Sequence, residues 1–157
     1  MFYPLFEWLE NTPVGTAVRE SLWAFPVIEA VHLLGLCLLG GALLLVDMRL
    51  LGVGLKHQPI AELAGYAQRW MVGAVVLMLV TGTLLFLSEA VKCYYNPSFW
   101  VKMTTLPIAL AFTFFVRGRI IRKPALDVTW RTRLLGLASI ALWLTVAAAG
   151  RWIGFSA

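Results

Sequence analysis

The stretch MVGAVVLMLVTGTLLFLS, residues 71–88, contains no charged side chain. A helix of about 20 apolar residues crosses the hydrocarbon core of a bilayer, at about 1.5 Å of rise per residue. The rest of the chain has the same character: 61% of its 157 residues are hydrophobic and 13% are charged. Soluble domains are about 45–50% apolar and about 25% charged. The sequence therefore predicts an integral membrane protein.

The hydropathy pattern predicts four transmembrane helices, at residues 23–47, 69–90, 99–116 and 134–153. Residues 1–20 mix apolar and acidic side chains, and Thr12 followed by Pro13 is typical of the start of a helix. We therefore expect two short helices lying on the membrane surface before the first span. Together these segments predict an all-α, integral membrane four-helix bundle, with residues 1–157 forming a single domain.

Basic residues are divided unevenly between the two sides of the membrane that four spans define. Nine lie near the connections that follow the first and third spans, and four lie on the other side. Because Lys and Arg are enriched in cytoplasmic loops, this bias predicts a bacterial inner-membrane protein with both termini in the periplasm. The same topology accounts for the net charge of +5, so the expected partner is the lipid bilayer and no nucleic acid is expected. The nine are Arg49, Lys56, Arg69, Arg117, Arg119, Arg122, Lys123, Arg131 and Arg133, and the four are Arg19, Lys92, Lys102 and Arg151.

Several ionisable side chains fall inside or at the edge of the predicted spans, where they are costly and are usually functional. Most lie in the half of the bilayer predicted to face the periplasm, under a segment that contains Tyr95 and Asn96. Glu29 and Asp47 share one angular position on the first helix at about 100° per residue, which predicts a polar stripe facing the bundle interior. The candidates are Glu29, His32, Asp47, Glu89, Lys92, Lys102 and Arg151.

His32 is the only histidine predicted at membrane depth, because His57 falls in a connection. Glu29 precedes it by one helical turn, a spacing found in carboxylate-bridged metal sites of helical bundles. A haem b would instead use His32 with Met78, or one His32 from each chain of a homodimer. A quinone headgroup and a purely structural histidine remain as alternatives. The candidate metal ligands, for copper, are His32, Glu29 and Glu89, and the candidate cofactor-binding residues are His32, Glu29, Met78 and Arg151.

Two cysteines occur, at positions that do not favour a disulfide. Cys37, in the middle of the first span, is expected to be a buried apolar thiol, and Cys93 is expected to be reactive if it is exposed. The sequence contains no nucleophile elbow, phosphate-binding loop or HExxH motif. We therefore expect no independent catalytic activity.

Four motifs resemble a family of small bacterial inner-membrane proteins that has no assigned function: HLLGL at 32–36, DMRLLG at 47–52, SEAVK at 88–92 with YYNP at 94–97, and AGRW at 149–152. The resemblance implies a four-helix inner-membrane protein. The transmembrane histidine is also similar to those of membrane copper-resistance proteins and b-type cytochromes. The shared polar residues that the family resemblance implies are Glu29, His32, Asp47, Arg49, Glu89, Lys102 and Arg151.

These residues favour a membrane redox or metal-handling component whose site, around His32 and Glu29, binds haem b, copper or a quinone. A second hypothesis is a non-catalytic subunit or assembly factor of a larger membrane complex, in which the same polar residues dock a partner. A third is a small transporter or channel, with Asp47 and Glu89 marking the two ends of a path.

Overall fold

The computed structural model describes residues 2–54, 57–121 and 127–155, and all regular structure in these ranges is helical. Four helices are long and apolar enough to cross a membrane, which confirms the predicted four-helix membrane fold. The elements are α1 (Tyr3–Glu10), α2 (Pro13–Glu20), α3 (Ala24–Leu51), α4 (Ile60–Ser88), α5 (Ala90–Tyr95), α6 (Pro97–Ala111), a π-helical segment (Phe112–Arg117), α7 (Gly118–Ile121) and α8 (Trp130–Phe155).

The membrane-spanning helices extend beyond the apolar segments seen in the sequence. α4 begins at Ile60, well before the predicted start at residue 69, and α8 begins at Trp130. Hydropathy detects only the part of a helix that suits hydrocarbon, whereas the helix itself continues through the polar interface. The third span runs from Pro97 to Ile121 through the π-helical segment.

The first described helix, α1, and the last residues of α8 lie at one end of the bundle, which we call the termini end. There Phe6 of α1 packs with Phe99, and Ile153 of α8 packs against the same cluster. The opposite end, which we call the connection end, carries the links from α3 to α4 and from α7 to α8. One polar site lies at each of these two ends.

The two N-terminal helices are docked on the termini end by polar contacts. The Glu10 carboxylate accepts a hydrogen bond from the backbone N–H of Val91 at 2.6 Å and lies 3.4 Å from the Arg19 guanidinium. A Cβ atom at Gly15 would collide with the backbone carbonyl oxygen of Leu87. Only glycine therefore allows α2 to approach the end of α4 this closely. The exposed apolar side chains of α1, which include Leu5 and Trp8, suit the predicted location at the membrane surface.

The third span stays helical despite an internal proline, and after that proline its buried positions recur every four residues. Pro107 lies within α6, and the π-helical segment begins five residues later. In a regular α-helix, positions four apart drift by about 40° around the axis. A π-helical turn holds more residues and reduces this drift, so one face can stay buried. The buried positions are Ala109, Thr113, Arg117 and Ile121.

Candidate functional sites at the two ends of the bundle

His32 is held at the interface of α3 and α4 by a chain of two hydrogen bonds. Its Nδ1 lies 2.8 Å from the Thr81 hydroxyl oxygen, and that hydroxyl donates to the Leu77 carbonyl at 2.7 Å. The hydroxyl gives its one proton to Leu77, so Nδ1 of His32 is the donor in the contact with Thr81. When the imidazole is neutral, the other ring nitrogen, Nε2, then carries the lone pair. Histidines that bind metals or accept protons are oriented in this way.

Glycines bring α3 and α4 close together around this histidine. A Cβ atom on Gly82 would lie 3.2 Å from the Cε1 atom of His32, and one on Gly35 would lie 3.0 Å from the Cγ atom of Met78. Met78 and Thr81 therefore line the α4 face that meets α3. The imidazole is half-buried between the helices.

Lys102 of α6 is the second ionisable group near this position. It interacts electrostatically with His32 and with Cys93, and its ammonium nitrogen lies 3.3 Å from the position a Cβ atom would take on Gly150. The side chain is only partly accessible. In the described ranges, no carboxylate lies within 4.0 Å of this ammonium. Lys102 thus brings a basic nitrogen without a carboxylate partner, among the described residues, into electrostatic range of His32.

Glu29 and Arg151 do not join this cluster. Glu29 is exposed and has no hydrogen bond or ion pair with another described residue, although it shares an angular position with the buried Asp47. α8 runs antiparallel to α3, and counting from the contacts of Asp47 with Gly136 and Ser139 places Glu29 level with the end of the described part of α8. Arg151 is exposed, and its guanidinium lies 4.3 Å from the centre of the Phe155 ring.

The remaining predicted residues of this end have separate roles. Glu89 and Lys92 form an accessible ion pair at 3.7 Å. Asn96 is buried and caps α6, because its side-chain oxygen accepts from the Ser98 N–H at 3.0 Å, whereas Tyr95 is exposed. Within the part of the chain that the structure describes, no three His, Cys, Asp or Glu side chains are grouped to hold a metal, so the predicted set of His32, Glu29 and Glu89 is not assembled.

The expected burial of Cys37 is wrong, and Cys93 does not have the exposure on which its predicted reactivity depended. Cys37 is exposed and Cys93 is buried. The buried face of α3 contains Gly35 and Leu39, and Cys37 lies midway between them, about 200° around the helix from each. Burial in the aromatic cluster, together with the nearby Glu89 carboxylate, raises the pKa of Cys93 to about 11.

The connection end contains a buried ionic network that crosses three helices. The Arg117 Nε lies 2.9 Å from the Asp47 Oδ1, and the Ser139 hydroxyl donates to the Asp47 Oδ2 at 2.8 Å. Arg117 also donates from an Nη atom to the Leu43 carbonyl at 3.4 Å. The short contact between Arg117 and Asp47 does not have hydrogen-bond alignment, so it is chiefly a Coulombic pair. Asp47 and Arg117 are each 1% exposed, so the pair is fully removed from solvent.

The helices approach closely at this pair, and α8 contributes a further polar contact. A Cβ atom on Gly136 would lie 3.1 Å from the Asp47 backbone oxygen. The Trp143 indole donates to the Thr113 hydroxyl at 2.9 Å. The two ends of the bundle are separated by an apolar layer whose buried members are Leu39, Leu43, Met71 and Ala74.

The sequence reading placed Asp47 inside the bundle but assigned Arg117 to the adjacent connection. The first arginine after an apolar segment usually marks the interface. Here the third helix continues past it to Ile121, and the π-helical turn rotates Arg117 inward. The available signal was the spacing of Thr113 and Arg117, which in a helix share a face. Without Arg117, the basic residues near the two connections still outnumber those on the side of the termini.

Comparison with known proteins gives one family. The model of DUF6644, described as a family of unknown function, matches residues 5–156. No curated protein and no solved structure matches the chain.

Proposed function

The chain belongs to DUF6644, a family of unknown function, and we propose that it is a redox component of a bacterial inner membrane that binds a quinone headgroup between His32 and Lys102. The observation that carries the proposal is the pairing of a hydrogen-bond acceptor with an uncompensated donor. His32 offers Nε2 because Nδ1 is engaged by Thr81. Lys102 offers an ammonium group that has no carboxylate partner within 4.0 Å in the described ranges.

A quinone headgroup matches both groups. The Lys102 ammonium donates to a carbonyl oxygen, and His32 Nε2 accepts the proton of a hydroxyl on the reduced ring. A copper ion would be repelled by the uncompensated ammonium nearby. A haem would use His32 as a ligand and Lys102 as the partner of a propionate, so the experiment below includes a test for haem.

We expect His32→Ala and Lys102→Met each to weaken quinone binding by about 10- to 100-fold, because each removes a hydrogen bond that involves a charged or strongly polar group. The measurement is a fluorescence titration of the protein in nanodiscs with a short-chain ubiquinone analogue. The matched controls are His57→Ala, in a connection, and Lys92→Met, an accessible lysine paired with Glu89. Both controls should bind as the wild type does.

Equal binding by all four variants would contradict the quinone site. A Soret band in the purified protein that His32→Ala abolishes would instead identify haem b. Copper found by elemental analysis and lost in the same variant would identify a metal site. These three outcomes are distinguishable in one set of preparations.

We also propose that the termini end faces the periplasm, since basic residues favour the connection end. In a variant that lacks Cys37 and Cys93, a membrane-impermeant maleimide should label a cysteine introduced at Tyr95 in intact cells. A cysteine introduced at Arg131 should be labelled only after lysis. Both positions are exposed. The reverse pattern would place the His32 site on the cytoplasmic side.

The second candidate function is that of a subunit in a larger membrane complex, and the exposed Glu29 favours it. This carboxylate lies about 8 Å along α3 from Ala24, at about 1.5 Å per residue, where contact with lipid is costly. A protein partner would remove that cost. The discriminating result is a native-gel species larger than the purified protein that Glu29→Ala removes and Lys92→Ala retains, in a preparation without saturable quinone binding.

A further inference from the structure

A cavity lies at the connection end, and its lining residues on α3, Ala42 and Val46, are about 15–21 Å along that helix from His32, at about 1.5 Å per residue. The cavity has a volume of about 150 Å³ and lies between α4 and the third span, with α3 behind it. A cavity of about this size holds a molecule as large as a six-membered ring. Small residues of α4 form one wall, and polar side chains form the other. The residues that matter are Ala64, Gly65 and Gln68 on α4 and Thr113 and Arg117 on the third span.

Arg117 presents unused donors to this cavity. Its Nε faces Asp47 at 2.9 Å, and one Nη atom donates to the Leu43 carbonyl. Those contacts leave the remaining N–H groups of the guanidinium available, and the residue lines the cavity. Asp47 is in turn fixed by the Ser139 hydroxyl. The guanidinium is therefore held in place from behind, as planar recognition of a two-oxygen anion requires.

Basic residues outnumber acidic ones among the chain neighbours of the cavity lining. Arg69 follows Gln68 directly on α4 and Arg119 follows Gly118 on the third span, whereas the acidic Glu62 follows Ala61. Among the described residues at this end, basic side chains outnumber acidic ones, and such an excess raises the local concentration of anions. Ala61 and Gly65, which line the cavity, are exposed, so a ligand has a route of entry between the helices.

We infer that this cavity binds a small anion, a carboxylate or a phosphate group, through the guanidinium of Arg117. The anion has two chemical sources: a free small molecule, or the headgroup of an anionic phospholipid. The site lies at the opposite end of the bundle from His32, so anion binding here does not depend on whether His32 binds a quinone.

Two glycines of α4 provide a matched pair of variants for the test. Gly65 lines the cavity and Gly73 does not, and a Cβ atom at either position meets nothing within 4 Å. Gly65→Leu should fill the entrance without touching the pair of Asp47 and Arg117, whereas Gly73→Leu adds the same side chain elsewhere on the helix. Arg117→Lys keeps the charge and removes the guanidinium fork.

The probes are inorganic phosphate and benzoate, titrated calorimetrically in phosphatidylcholine nanodiscs, and the same nanodiscs with phosphatidylglycerol added. We expect Gly65→Leu and Arg117→Lys to weaken binding at least about 10-fold and Gly73→Leu to leave it unchanged. Saturable binding of a soluble probe supports a free anion as the ligand. A rise in melting temperature seen only with phosphatidylglycerol, and lost in Gly65→Leu, supports a lipid headgroup. Absence of both effects, or equal effects in Gly65→Leu and Gly73→Leu, would overturn the inference.

Discussion

Replacing Arg117 with alanine is expected to lower the free energy of unfolding by about 3–5 kcal/mol, because it leaves the Asp47 carboxylate buried without its countercharge. Asp47 is 1% exposed, so neither water nor lipid headgroups can compensate for the loss. Ser139→Ala should cost less, about 1.5–3 kcal/mol, because it removes one hydrogen bond to a charged group and leaves the ion pair intact. The measurement is unfolding in mixed micelles by titration with sodium dodecyl sulfate, followed by circular dichroism.

The control for this variant is Arg119→Ala, since Arg119 lies two residues away on the same helix and is exposed. It should change the stability by no more than about 0.5 kcal/mol. The double variant Asp47→Leu with Arg117→Met should recover most of the stability, because a buried ion pair and an apolar pair of similar size are often equivalent. A loss in Arg117→Ala no greater than in Arg119→Ala would show that the pair does not contribute to folding.

Replacing Gly15 with alanine is expected to increase the alkylation rate of Cys93 at pH 8 by up to about 100-fold, because the thiolate is the reactive form and its pKa would fall by about two units. A Cβ atom at Gly15 cannot fit against the Leu87 carbonyl, so α2 has to move away from the end of α4. Phe6 of α1, which packs in the cluster around Cys93, would move with it. The burial and the Coulombic effect of Glu10 that help to hold the pKa near 11 would then be lost.

The rate should be measured with a small maleimide against pH in a Cys37→Ala background. In the parent, it should rise about 10-fold per pH unit up to about pH 11, because only the deprotonated thiol reacts. In Gly15→Ala the same rise should end at a lower pH. Gly154→Ala, where a Cβ atom meets nothing within 4 Å, should match the parent. A Gly15→Ala profile identical to that of the parent would mean that α1 and α2 do not shield Cys93.

Local hydropathy was sufficient to predict the four spans, because each contains a long apolar run that only a membrane can accommodate. It also singled out His32 as the histidine within a predicted span, and its role there stays a prediction. The partners of His32 were harder to predict, because Thr81 and Gly82 belong to another helix and their contact depends on how two glycines let the helices approach. Helical periodicity predicts the direction in which a side chain points, but it does not predict whether a neighbouring helix is long enough to cover that side chain. Asp47 and Glu29 point in the same direction, yet Asp47 is buried and Glu29 is exposed.

The buried pair at the connection end has a consequence for biogenesis. Asp47 belongs to the first of the four spans and Arg117 to the third, so Asp47 is synthesised earlier. An isolated charge costs about 2.5–3.5 kcal/mol at the centre of an inserting helix on the scale of the translocon, and less near the helix end, where Asp47 lies. Asp47 would carry this cost until the third span arrives to neutralise it. The first hairpin should therefore stay beside the insertion machinery until Arg117 has been synthesised, and the nascent chain should enter the lipid as one unit.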